Sequence, residues 1–145
     1  MTEVAFHFNA VDKWEYCCRL LRKAVARGVR VAVVAEPAVL EQLDSQLWEF
    51  SATDFVPHCL ANCPQTSVLQ ASPVVLSPPG GAAGHNQILL NLGTAVPPGF
   101  ELFDRLIEVV GLEDGDRDRS RVRWKHYKDR GYAITRHDLA AQGAS

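Results

Sequence analysis

Val29-Arg30-Val31-Ala32-Val33-Val34, followed at once by Ala35-Glu36-Pro37, decides the fold class. The run is almost continuously apolar and rich in β-branched residues, the signature of a strand buried on both faces of a parallel sheet. Pro37 belongs in the first turn of a helix, where its missing N–H has no partner to lose. That helix carries Val39, Leu40, Leu43 and Leu47 and reaches Trp48. On the N-terminal side, Gly28 stands in the C′ position that ends an earlier helix. The earlier helix repeats Trp14, Cys17, Cys18, Leu21, Ala24 and Val25 at helical spacing, and Asp12 with Glu15 three residues on reads as its capping box. Before it, Val4-Ala5-Phe6-His7-Phe8 alternates as a strand does. Strand, helix, strand, helix is the opening of an α/β sheet with right-handed crossovers.

The rest of the chain is less regular. Trp48 is followed by a stretch containing Phe55-Val56-Pro57-His58, Pro64, Pro73 and Pro78-Pro79, with short strands expected near Val68-Leu69 and Val74–Leu76. Gly80 to Gly84 reads as a turn or loop, and Ile88-Leu89-Leu90-Asn91-Leu92 as a further core strand. Pro97-Pro98 precedes an expected third helix, with Phe100, Phe103, Leu106, Ile107 and Val110 on one face. A fourth helix is expected from about Asp116 to Arg130, closed by Gly131. The reading is one α/β domain over residues 1–139, three layers with a mostly parallel central sheet and helices on both faces, and a frayed tail over 140–145.

Composition sets the outer bounds. The chain has 145 residues, 47% hydrophobic and 22% charged, which supplies a core for one domain and argues against disorder. No apolar run is long enough to span a membrane, and Met1-Thr2-Glu3-Val4 lacks the basic start of a signal peptide, so a cytoplasmic location is expected. Cys17 and Cys18 read as small apolar residues of a helix. His58-Cys59 with Cys63 lacks the second ligand pair of a structural zinc site, so no metal is expected. Net charge is −2, but its distribution is uneven. No Lys or Arg occurs from Val31 to Asp104, whereas Arg117 to Arg136 holds eight against two Asp. One basic end and a bare middle suit a single local anionic partner better than a long nucleic-acid footprint.

Enzyme constellations are absent. The first strand–helix turn, Phe8-Asn9-Ala10-Val11-Asp12, has no glycine for close approach of a phosphate. There is no Walker A sequence, no G-x-G-x-x-G and no nucleophile elbow, and the loop at 80–84 lacks a following Lys-Ser/Thr. The cysteines have no base arrangement beyond the neighbouring His58 and Cys59. No catalytic residue and no cofactor is assigned.

Two constellations remain. On the last long helix, Arg117, Arg121, Trp124, Lys125 and Lys128 fall within about 100° of arc, with Tyr127 at the border. Like charges at i,i+4 repel, so a stripe of four cations around an indole carries a cost that a ligand with carboxylates and an apolar group would offset. A plain solvated charged face is the alternative, and phosphates and bases are a rival ligand. The second constellation is Leu47-Trp48 with Phe55-Val56-Pro57-His58, which reads equally as core closure or as a protein-binding patch.

In this order, Leu47-Trp48, Phe55-Val56-Pro57-His58-Cys59-Leu60-Ala61, Ile107-Glu108-Val109-Val110 and Arg123-Trp124-Lys125-His126-Tyr127-Lys128-Asp129-Arg130-Gly131-Tyr132 resemble the chi-subunit family of the bacterial DNA polymerase III holoenzyme. The resemblance spans essentially the whole chain and is thinnest from Asn62 to Gln87. It implies a fold similar to mononucleotide-binding α/β domains but without their phosphate loop, and a non-catalytic adaptor of the clamp-loader complex. It implies two partners: the acidic C-terminal tail of single-stranded DNA-binding protein, and the psi subunit. Association with single-stranded DNA would be indirect. Carried over by position, Arg117, Arg121, Trp124, Lys125 and Lys128 would hold the tail, its terminal aromatic lying between the third and fourth helices against Val110 or Leu112. Trp48, Phe55, Pro57 and His58 would meet psi. The alternatives are a direct nucleic-acid-binding domain, or a small nucleotide-processing enzyme with its ligand near Asn9, Glu36 and Asn91.

Overall fold

The computed structural model describes residues 2–49, 58–60, 73–77 and 87–142. Among these residues seven strands form one sheet: β1 (Glu3–Ala10), β2 (Val31–Val34), β3 (His58–Leu60), β4 (Val74–Ser77), β5 (Ile88–Asn91), β6 (Arg105–Gly111) and β7 (Ile134–Asp138). Their spatial order is β3-β4-β2-β5-β6-β1-β7, and every pairing is parallel. The helices are α1 (Lys13–Ala26), α2 (Pro37–Glu49), α3 (Asp114–Asp129) and the short α4 (Leu139–Gln142).

Strand alternation divides the core in two. Val31 and Val33 of β2, Leu90 of β5 and Val109 of β6 face one way and pack with Cys17, Cys18 and Leu21 of α1 and Leu40 and Leu43 of α2. Ala32, Val34, Leu89, Leu106 and Val110 face the other way, with Phe100 and with Tyr127 of α3. All four residues of β2 are buried, with an apolar cluster on each of its faces. Each fully buried leucine contributes about 1.5–3 kcal/mol, so the two clusters together outweigh any surface pairing.

The helix boundaries have local causes. Asp12 caps α1, its side chain accepting from the Glu15 N–H at 3.1 Å. α3 ends in a Schellman turn: Gly131 at φ +82 donates to the Lys128 carbonyl at 3.0 Å and Tyr132 to that of Tyr127 at 3.1 Å. A left-handed backbone is needed there, and only glycine takes it without strain. The turn delivers the chain into β7, an element the sequence reading did not foresee.

The expected third helix does not form. Phe100–Leu102 makes one 3-10 turn, and Arg105–Gly111 is β6, a central strand paired with β5 on one side and β1 on the other. Leu106, Ile107, Val109 and Val110 mimic a helical face only if Val109 is ignored. Their contiguity and β-branching belong to a strand covered on both faces. The residues Val68 and Leu69, expected in a strand, lie outside the described residues. Val74–Leu76 and Ile88–Asn91 are strands as expected. Ala140 to Gln142 belong to α4, whose Leu139 is buried.

Within β6, Glu108 has no exposed surface, and three residues on two other elements hold it. Arg123 of α3 donates from Nε to one carboxylate oxygen at 3.0 Å, the Tyr127 hydroxyl donates to the other at 2.5 Å, and the Asn91 amide of β5 donates to both at 3.1 Å. Arg123 also donates to the Thr94 carbonyl at 3.1 Å. Burial pushes the Glu108 pKa up, while the Arg123 charge and the three donors pull against that shift. Removing one partner of such a pair leaves an uncompensated charge in the interior.

Two outcomes follow from this packing. Arg123→Ala should cost about 3–5 kcal/mol in denaturant unfolding, and adding Glu108→Gln should restore part of the loss; additive losses would show that the pair does not couple. Burial raises the Cys17 thiol to about 12 and the Cys18 thiol to about 11. Both should therefore resist alkylation in the native state and label only on unfolding, as read by mass spectrometry of the two peptides.

Candidate functional site

α3 lies across the sheet with its Arg123–Tyr127 side inward. The opposite flank of the helix therefore turns away from the core, and the edge between the two bounds a pocket of about 560 Å³. Arg117, Ser120, Arg121 and Trp124 form its helix wall. Phe6, Phe8 and Asn9 of β1, Val110 of β6 and Arg136 of β7 form its sheet wall. The floor is apolar and backed by an aromatic cluster in which Phe100 contacts Tyr127 and Tyr132, each at 5.2 Å between ring centroids. Among the described residues, three guanidinium groups line the pocket and no carboxylate does.

Each cation is held differently. Arg117 donates to the Asn9 side-chain oxygen at 3.0 Å, while the Asn9 amide donates to Asp138 at 2.8 Å. Asn9 adopts a left-handed backbone, φ 64, at the irregularity where β1 slips register against β6. A neutral amide thus positions Arg117 without cancelling its charge. Arg121 is 3.1 Å from Asp118, but both side chains are at least 70% exposed, so water and salt screen the pair heavily. Arg136 lies over the Phe8 ring at 5.2 Å, and the Lys128 ammonium over the Trp124 ring at 4.7 Å. These cation–π contacts orient two charges on opposite walls.

Of the residues singled out by the stripe, Arg117, Arg121 and Trp124 meet in this pocket. Lys128 joins it through the Trp124 ring, whereas Lys125 is exposed and lines none of it. Tyr127 does not border the stripe. It is wholly buried, because its hydroxyl is spent on Glu108. The crevice lies between α3 and the sheet, not between two helices, since β6 replaces the expected third helix. Val110 lines it; Leu112 faces a different cleft. The sequence reading missed Phe6, Phe8, Asn9 and Arg136 as pocket residues. Alternation along β1 and β7 would have placed Phe6, Phe8 and Arg136 on one face had β7 been recognised. Phe55 and Pro57 lie outside the described residues, as do the side chains of Trp48 and His58. The same holds for Cys63 and the Cys59 side chain. Among the described residues no cluster of three or more metal-ligating side chains occurs.

The carboxyl ends of the strands, where α/β sheets commonly bind nucleotides, hold a cleft of about 740 Å³ between the starts of α1 and α3. Carboxylates already occupy both helix starts. Asp12 caps α1, and Asp116 accepts from the Gly111 N–H at 2.7 Å and from Lys13 at 3.2 Å. Burial alone would raise the Asp116 carboxyl; the Gly111 N–H and the Lys13 ammonium outweigh it and hold the pKa below the usual range. A phosphate there would meet negative charge in place of free N–H groups. Asn91 is likewise committed, to Glu108, the Ala95 carbonyl and the Gly93 N–H.

A family model described as "DNA polymerase III chi subunit, HolC" matches residues 1–135. The chain is 33% identical to the DNA polymerase III subunit chi of Pseudomonas aeruginosa, over 96% of this chain and 98% of that protein. It is 27% identical to the protein of the same name from Escherichia coli, over 81% and 79% of the two chains. The Haemophilus influenzae protein of that name is 24% identical over 83% of each. With a match that runs from the first strand into the last, the chain belongs to the chi-subunit family of DNA polymerase III and, with it, to DNA replication.

Proposed function

We propose that this chain is a non-catalytic adaptor of the replicative polymerase's clamp-loader assembly, and that the pocket beside α3 receives the acidic C-terminal tail of single-stranded DNA-binding protein. The observation that carries the reading is the pocket's composition among the described residues: three guanidiniums and an indole around an apolar floor, with no lining carboxylate. A peptide ending in acidic residues and an aromatic with a free carboxylate has the complementary chemistry. Its terminal ring packs on Val110 and Phe6, and its terminal carboxylate is taken by Arg117 or Arg121 through charge-assisted hydrogen bonds. Lys128 and the exposed Lys125 face the acidic residues upstream. Arg136 closes the pocket from the sheet side.

One such contact is small and gives an affinity of about micromolar order. Several tails on an oligomeric partner raise the effective affinity by avidity, so the assembly stays on coated strands while each single contact exchanges quickly. Association with single-stranded DNA is then indirect. The segment containing Trp48, Phe55, Pro57 and His58 is proposed, on the resemblance of its sequence, as the contact for a psi-type subunit. The nucleotide-enzyme alternative is disfavoured by the acidic helix starts and by the internal bonds of Asn9 and Asn91.

The test is fluorescence anisotropy with a labelled peptide copying the tail of the cognate single-stranded DNA-binding protein. Wild type should bind with micromolar affinity that weakens with salt, and Arg121→Ala/Trp124→Ala should weaken it by about tenfold or more. Arg136→Ala should weaken it about threefold to tenfold, and Leu112→Ala should leave it unchanged. Binding that is absent from folded wild type, or undiminished in the double variant, would overturn the reading.

A further inference from the structure

The alternation that turns Phe6, Phe8 and Arg136 toward the tail pocket turns Ala5, His7, Thr135 and His137 to the opposite face of the sheet. There, beside α1, lies a cleft of about 530 Å³ that shares no lining residue with that pocket. Tyr16, Leu20, Lys23 and Arg27 recur at i, i+4, i+7 and i+11 along one flank of α1 and form the helix wall. His7 and His137 are register partners on β1 and β7, with ring centroids 4.6 Å apart. The His7 Nδ1 is hydrogen-bonded to the Tyr16 hydroxyl, which fixes the ring. Ile88 and Ile107 add apolar surface, and Arg105 enters from the start of β6.

The charge in this cleft is one-sided. Lys23, Arg27 and Arg105 are permanent cations, while among the described residues Glu3 is the one carboxylate in the lining, 3.6 Å from Arg105 with both side chains more than half exposed. Two imidazoles stand beside them. Burial, then His137, then Arg105 lower the His7 pKa to about 4, so that ring is neutral at physiological pH and the positive potential comes from the other three. Clustered like charges raise the energy of the free protein, and a dianion bound among them offsets that cost.

We propose that the cleft between α1 and the β1–β7 face is a second anion site that binds a phosphate dianion, with Lys23 and Arg27 on one wall, Arg105 on another and the imidazole pair at its base. The hydroxyl of Thr135 and the ring N–H of His7 supply neutral donors. The phosphate group could belong to a free compound or to a nucleic-acid strand, and the experiment separates these two sources.

The full chain is titrated with inorganic pyrophosphate at neutral pH and low ionic strength while the imidazole signals of His7 and His137 and the indole signal of Trp124 are followed by NMR. Saturable shifts of both histidines, with Trp124 unmoved, are expected. Lys23→Ala/Arg27→Ala, a pair of exposed positions, should weaken the binding by about tenfold and leave tail-peptide binding intact. In a second arm, a 5′-phosphorylated oligothymidylate replaces pyrophosphate. Tighter binding by the oligonucleotide, lost in the same double variant, assigns the phosphate to a strand; tighter binding by pyrophosphate assigns it to a free compound. No saturable histidine shift with either probe, an unchanged affinity in Lys23→Ala/Arg27→Ala, or loss of the shifts in Arg121→Ala would each overturn the proposal.

Discussion

A carboxylate without access to water sits between the sheet and its last long helix, and the placement of that helix depends on it. Glu108 lies on the central strand β6, and Arg123 and Tyr127 lie one turn apart on α3. Together they fix the rotation of α3 about its own axis as well as its position. An apolar contact of the same size would stabilise the packing but tolerate some rotation. Three donors converging on one carboxylate specify an orientation, a use for which buried polar groups are suited when every member is satisfied. Because Arg123 and Tyr127 point inward, Arg117, Arg121 and Trp124 reach the edge of the sheet. The external site is thus set by an internal ion pair.

That coupling explains what the sequence revealed and what it concealed. The first four elements were legible because β2, the Asp12 cap and Gly28 each carry an unambiguous local signal. The stripe Arg117, Arg121 and Trp124 was legible because helical periodicity alone places those residues on one side. Glu108 was not, since a charged residue inside an apolar run normally marks the solvent face, and its compensation comes from residues fifteen and nineteen positions later in sequence. The same charge broke the apolar run of β6 and made a helix the more natural reading. Arg136 and Phe8 stayed hidden for a different reason. Their meeting depends on β7 returning beside β1, a long-range pairing for which five partly exposed residues give no pattern.

The protein also shows how one sheet keeps two electrostatic environments apart. Between Val31 and Asp104 there is no Lys or Arg, so the strands β3, β4, β2 and β5 carry none. Arg105, Arg117, Arg121 and Arg136 gather around β6, β1 and β7, and the pleat of β1 and β7 turns successive side chains to opposite faces. Arg136 faces the α3 side, whereas His137 faces the α1 side one residue later. The sheet between them is low-dielectric protein, so the two groups of charges interact mainly through solvent around the edge, where salt screens them.

Among the described residues β7 closes one edge of the sheet and pairs with a single neighbour, β1. An open strand edge is a template onto which a foreign strand can add, and proteins protect such edges with charge and brevity. β7 is five residues long and carries Arg136, exposed, at its centre. The guanidinium that lines the pocket therefore also guards the edge against self-association. A family member that replaced it with an apolar residue would alter more than ligand affinity: it would leave the sheet able to grow by one strand, and its solubility would then rest on the rest of β7.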